Sequence, residues 1–171
     1  MKKLIFTVVT IFLFSAVCYG QEGPQTARAE LMDAKGGKAG MAALSETPKG
    51  VLITVELWDL PPGPHAFHIH SAGRCEPPFT TAGGHYNPHD KKHGVMNPGG
   101  MHAGDLPNIH IGQDGKGKVE VLASQVTLGK GTGSLFDEDG SALVIHAGAD
   151  DYKSDPAGEA GPRIACGVIV R

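Results

Sequence analysis

Apolar and polar residues alternate from Val51 to Trp58, with Val51, Ile53, Val55 and Leu57 on one face. That period of two predicts a strand buried on one side. Asp59 to Pro64 holds three prolines and a glycine and forces a turn, after which His65 to Ser71 reads as a second strand. Further strand signals fall at Thr26 to Met32, which is mixed, and at Ala39 to Leu44, which is small and apolar. Others are Asn108 to Ile111, Lys118 to Ala123, a weaker Val126 to Leu135, Ala142 to His146 and Arg163 to Val170. No segment carries the 3.6-residue period of an amphipathic helix. Seven or eight short strands separated by Gly- and Pro-rich turns predict an all-β sandwich or barrel.

The same alternation places the histidines. If Phe67 and Ile69 point into the core, His68 and His70 point the other way, because residues i and i+2 share a face. With Leu143 and Ile145 inside, His146 lies outside. The connection from Ser71 to Pro107 has 7 Gly and 5 Pro and is long enough to cover these outer faces. Loops of that length are usually functional or disordered. It carries His85, His93, His102 and Asp105, so six metal-competent side chains fall between His68 and Asp105, with His146 as a seventh. Pinning by a metal and by Cys75 is expected. His65, His89 and His110 read as ordinary histidines, His65 hydrogen-bonded to backbone and the others solvated.

Residues 1–20 read as a removable signal peptide. Lys2 and Lys3 precede an apolar run from Leu4 to Val17, too short to span a bilayer comfortably, and small residues before Gln21 suit cleavage there. Cys18 leaves lipid attachment as the less favoured outcome. Residues 21–171 then form one domain of formal charge −5, which argues against a nucleic-acid partner because no basic stripe is present. Export places Cys75 and Cys166 in an oxidising compartment, and one disulfide is the economical reading. Closing a loop of about 90 residues contributes roughly 4 to 5 kcal/mol in the chain-entropy model.

Imidazole suits zinc and copper alike, and a carboxylate favours zinc. Seven side chains are one short of two four-coordinate sites, so one histidine would have to serve both as imidazolate; spacing alone leaves that open.

The motifs GPHAFHIH (63–70), GGHYNP (83–88), KKHG (91–94), HAGDLPN (102–108), LVIHAGADD (143–151) and GPRIACGV (161–168) together resemble the copper/zinc superoxide dismutases, in particular their exported bacterial branch. The resemblance implies a Greek-key sandwich or flattened barrel of about eight antiparallel strands with long metal-binding and disulfide loops. It implies one copper per chain on His68, His70, His85 and His146, and one zinc on His85, His93, His102 and Asp105, with His85 as the bridge. Asp150 would orient ligands of both metals, Arg163 would attract the superoxide anion, and a Cys75–Cys166 disulfide would tether the loop. The implied activity is dismutation of superoxide to oxygen and hydrogen peroxide, in a periplasmic protein that protects the cell envelope, as a monomer or a homodimer, with no membrane insertion after cleavage. Ala66 departs from the family's usual glycine, and its methyl could crowd a close backbone approach. The connection from Asp151 to Pro162 is of the shorter bacterial style, and the charged steering residues of the family's animal enzymes cannot be assigned onto it. Two alternatives stand beside this reading: a non-catalytic copper/zinc-binding module, which would need neither Arg163 nor Asp150 nor a shared ligand, and a zinc hydrolase, which would need an open zinc position.

Overall fold

The computed structural model describes residues 25–171; the expected signal peptide lies outside them. Nine strands form among the described residues: β1 (Thr26–Asp33), β2 (Lys38–Thr47), β3 (Gly50–Leu57), β4 (Gly63–His65), β5 (Phe67–His70), β6 (Ile109–Ile111), β7 (Gly117–Ala123), β8 (Ala142–His146) and β9 (Arg163–Val168). The helical content described is one 3-10 turn, Thr80–Ala82. Seven strands make one sheet in the order β5-β8-β9-β1-β2-β3-β7, and β4 pairs with β6 beside it. Every pairing between these strands is antiparallel.

One face of the long sheet is apolar along its whole width, so the sheet curls to bury that face against itself. Ala27, Ala29 and Leu31 of β1, Ala42 and Leu44 of β2, and Val51, Ile53, Val55 and Leu57 of β3 meet Phe67, Ile69, Leu143, Ile145 and Ala165 in a single core. The register keeps this face continuous: Leu44 faces Ile53, Phe67 faces Ile145 and Ile69 faces Leu143. This is the expected all-β architecture with antiparallel strands.

Three expectations are corrected. The His65–Ser71 segment is two strands broken at Ala66, whose N–H donates to Gly148 O (2.8 Å) while its own carbonyl accepts the His146 N–H (3.0 Å). Ala66 is fully buried with both backbone groups satisfied and a negative φ, so its methyl is accommodated. Val126 to Leu135 is not a strand; Gly129, Gly131 and Gly133 turn the chain, while Val126, Leu128 and Leu135 still enter the core. On β9, Ile164 and Cys166 lie on different faces of the sheet. A β-bulge sets Ile145 opposite Ala165 and His146 opposite Arg163, making Ile164 the extra residue, and Ile164 packs against the main core.

The long connection is pinned by more than a disulfide. Tyr86, Ala103 and Leu106 enter the main core, and Phe79, Ala82 and Cys75 cover Ala142, Val144 and Cys166 on the opposite face of the sheet. Its backbone also satisfies the free edge of β5: Ile69 N–H donates to Gly104 O (2.9 Å), and Ile69 O accepts from Tyr86 N–H (2.8 Å). Gly104 is required there, since a Cβ would stand 2.2 Å from Ile69 O. Cys75 and Cys166 form a disulfide, Cα to Cα 5.6 Å.

Candidate metal centre

The outer faces of β5 and β8 point into the space under this loop. His68 and His70 are fully buried and His146 is 3% exposed, because the loop covers what alternation left outside. His85, His93, His102 and Asp105 come down from the loop and are buried too. All seven predicted side chains therefore meet in one place.

Each histidine on the strand side uses one ring nitrogen for a fixed acceptor and turns the other inward. His68 Nε2–H donates to Asp150 Oδ2 (2.8 Å), His70 Nδ1–H to Gly83 O (3.0 Å) and His146 Nδ1–H to Gly161 O (3.1 Å). The inward atoms crowd one another: His70 Nε2 and His146 Nε2 are 3.4 Å apart, and His68 Nδ1 and His85 Nε2 are buried without a hydrogen-bond partner. Converging lone pairs and orphaned buried nitrogens are costly unless a cation sits among them. On the loop side, Asp105 Oδ1 lies 2.8 Å from His85 Nδ1 and 3.1 Å from both His93 Nδ1 and His102 Nδ1. Four donors about 2 Å from one tetrahedral ion stand roughly 3.3 Å apart, so this cluster has the size of a zinc site. The sets His68/His70/His85/His146 and His85/His93/His102/Asp105 each have donor atoms within 4.8 Å of one another, and His85 belongs to both. The residues present fit two metals sharing one imidazole.

Asp150 joins the two halves. Oδ2 holds His68 and Oδ1 accepts His93 Nε2–H at 2.9 Å. The third possible donor grouping, His68, His93 and Asp150, is this link on the far side of the rings. Asn108, a residue the sequence reading overlooked, fixes Asp150: its Nδ2–H donates to Asp150 O (2.8 Å) and its Oδ1 accepts Asp150 N–H (2.7 Å). No local pattern around Asn108 signals a partner 42 residues away. Gly158 is the other constraint, with φ +65° and room for a Cβ only at 1.8 Å from Asp150 Oδ1 and 2.7 Å from His93 Nε2. Gly158→Ala is expected to lower the stability of the metal-free protein by about 2 kcal/mol or more through left-handed strain and this overlap. A shifted urea midpoint would show it; an unchanged one would mean that the loop yields freely.

The two sides differ in charge. Burial first, then the neighbouring His85, pushes His70 down to about 2. Burial also lowers His146 to about 4 against the Gly161 hydrogen bond, and His85 to about 4 against its bond to Asp105. These rings are neutral, ready-made ligands at neutral pH. For His93 burial works against the charged form, but bonds to Asp105 and Asp150 raise it to about 9. Burial likewise opposes ionisation of Asp105 and Asp150, and the imidazole hydrogen bonds outweigh it, holding both well below the usual carboxylate range.

A cavity of about 300 Å³ leads to this centre, lined among others by His70, His85, His102, His146, Asn87 and Arg163. Arg163 Nη1 and Nη2 donate to Phe79 O (2.5 Å) and Gly83 O (2.6 Å), and no carboxylate pairs with it among the described residues. Gly83 O thus receives both His70 and Arg163. Of the remaining histidines, His89 and His110 are exposed as expected. His65 is hydrogen-bonded to backbone as expected, buried with its ring nitrogens 2.8 Å from the carbonyl oxygens of His146 and Pro61.

Comparison with known proteins agrees with this geometry. Residues 37–169 match the family model described as copper/zinc superoxide dismutase. The chain is 58% identical over 144 residues to superoxide dismutase [Cu-Zn] 1 of Aquifex aeolicus, covering 82% of this chain and 85% of that protein. It is 52% identical to superoxide dismutase [Cu-Zn] 2 of the same organism, with 99% of both chains covered. A crystal structure of a superoxide dismutase-like protein from Bacillus subtilis, a double mutant in which a tyrosine and a proline are replaced by histidine, superposes with a TM-score of 0.81 at 43% identity, over 84% of this chain and 97% of that one. With a family model spanning most of its length and relatives this similar, the chain belongs to the copper/zinc superoxide dismutase family.

Proposed function

We propose that the protein dismutes superoxide to oxygen and hydrogen peroxide, with copper on His68, His70, His85 and His146 and zinc on His85, His93, His102 and Asp105. One observation carries the assignment: His85 touches Asp105 through Nδ1 while its Nε2 is buried and unpartnered, and the same ring belongs to the donor group of His68, His70 and His146. Copper held by His68, His70, His85 and His146 would supply the one-electron exchange by which one superoxide is oxidised to oxygen and a second, with two protons, is reduced to hydrogen peroxide. Bound zinc, without redox chemistry of its own, supplies a fixed charge beside Asp105.

The chain's own groups do the rest. Asp150 holds His68 and His93 by their outer nitrogens, fixing which ring atom each turns inward. His85 Nε2 faces the strand-side cluster and is placed to hold a proton and release it to the departing peroxide. Arg163, a cation throughout the neutral range, is anchored by two carbonyls at the cavity wall and attracts the anion. Arg163→Gln is expected to lower the rate roughly tenfold at low salt and to flatten its salt dependence with metal content intact. An unchanged salt slope would remove the steering role.

The raised His93 gives a second check. At pH 7 it carries a proton in the metal-free protein, and a ligand must give its proton up. Zinc binding is therefore expected to release about one proton at neutral pH, and none once the pH passes about 9. Calorimetry in buffers of different ionisation heat reads this, and no release at pH 7 would mean either that His93 is not a ligand or that it is already neutral before zinc binds.

The apolar run behind Lys2 and Lys3 and the Cys75–Cys166 disulfide support export of residues 21–171, to a periplasm, where the protein would protect the cell envelope as a monomer or a homodimer. The deciding experiment is metal content with superoxide removal before and after copper chelation. One copper and one zinc per chain, with activity that leaves and returns with copper, is expected. Both metals bound without activity would make the protein a metal-binding module instead.

A further inference from the structure

Asp155 stands where two segments of the site meet. Its Oδ1 accepts the backbone N–H of His93 (2.8 Å), and its Oδ2 accepts Lys92 Nζ–H (3.0 Å). The next two residues, Pro156 and Ala157, line the cavity that leads to Arg163. The carboxylate therefore ties the segment carrying His93 to the residues next to the cavity wall, and it places a negative charge one residue before that wall begins. A neutral amide oxygen would also accept the His93 N–H, though more weakly, so the tie itself does not require the charge.

Lys92 answers that charge. Its side chain is 65% exposed and that of Asp155 38%, and an ion pair in such a setting adds little stability. Its effect on the local field is larger. Arg163 is the only charged side chain lining the cavity among the described residues, and the whole chain is net acidic, −3. An exposed charge acts over about 8 Å at physiological salt and about 30 Å at 0.01 M, so an uncompensated carboxylate at this rim would oppose Arg163.

We propose that Lys92 and Asp155 form a charge-compensating pair at the cavity rim that sets the arrival rate of the anionic substrate, Asp155 anchoring the wall and Lys92 cancelling the repulsion that the anchor creates. This rests on the cavity being the path of superoxide. The family's enzymes work near the diffusional ceiling, where such a field is read directly in the rate.

The two single substitutions should act with opposite signs. Lys92→Gln leaves Asp155 uncompensated and is expected to lower the second-order rate of superoxide removal about twofold at 0.01 M salt. Asp155→Asn keeps an acceptor for His93 N–H, frees Lys92 and is expected to raise it about twofold. The double variant should return close to the starting rate, and all differences should shrink toward none near 1 M salt. Two losses, or no change in either variant, would overturn the proposal, since damage to the fold lowers both. A second readout needs neither metal nor activity: the rate at which Arg163 in the metal-free protein is modified by neutral phenylglyoxal and by an anionic nitrophenol derivative of it, followed on the peptide carrying Arg163. The anionic-to-neutral ratio should fall in Lys92→Gln and rise in Asp155→Asn, and equal ratios would refute the pair. If the unsubstituted protein removes no superoxide, the functional reading fails by itself and this ratio still decides whether the pair controls anion access.

Discussion

Replacing His85 with alanine is expected to abolish superoxide removal and to empty the zinc position as well as disturb the copper one. The ring is the single group common to both donor sets, and its loss takes one ligand from each. It also leaves the buried Asp105 carboxylate with two imidazole partners in place of three. Loss of an outer-sphere partner alone costs about 10- to 100-fold in metal affinity, and removal of a direct ligand should exceed that. Zinc and copper content of the purified variant, with its dismutation rate, provide the check. Full zinc occupancy in His85→Ala would end the bridging assignment and leave two independent sites.

Removing the disulfide is expected to have the largest effect on stability. Cys75 and Cys166 are 91 residues apart, so the bond restricts a long loop in the unfolded chain. About 2 to 5 kcal/mol should be lost in the double substitution Cys75→Ala with Cys166→Ala. The position of the bond adds a functional effect. Phe79 and Ala82 pack with Cys75 over β8 and β9, and Phe79 O and Gly83 O hold the Arg163 guanidinium. Loosening that segment should lower activity through Arg163 even in molecules that remain folded and metal-loaded. Urea midpoints and the salt slope of the rate separate the two effects. A variant with normal stability and a normal salt slope would show that the core contacts of Tyr86, Ala103 and Leu106 pin the loop without the bond.

Both expectations depend on residues that were readable in the chain. The period of two assigned β3, β7 and β8 almost to the residue, and it put Phe67, Ile69, Leu143 and Ile145 in the core. The same rule turned His68, His70 and His146 to the opposite face, and the Gly- and Pro-rich composition of the Ser71 to Pro107 connection marked it as the element that must fold over them. The seven candidate donors are the seven that converge. What local pattern could not supply were partners held by distance. Asn108 fixes Asp150 across 42 residues and Asp155 reaches the backbone of His93; neither contact leaves a periodicity.

Arg163 shows most clearly where the sequence stops. Ala165 faces the core, so strict alternation along β9 would turn Arg163 inward with it, where an unpaired guanidinium could not remain. The bulge at Ile164 adds one residue, sets Arg163 opposite His146 and brings the guanidinium to the cavity wall. By itself the sequence determined the strand period, the core face, the seven candidate donors and the cysteine pair, because these depend on residue type and on spacing along the chain. The tertiary structure decided the inward ring atom of each histidine, the clamp on Asp150 and the face of Arg163, and it brings His85 into both donor groups, as the resemblance implied. Those depend on which backbone carbonyls and carboxylates arrive from other strands, and on a register shift that pairing between two strands creates.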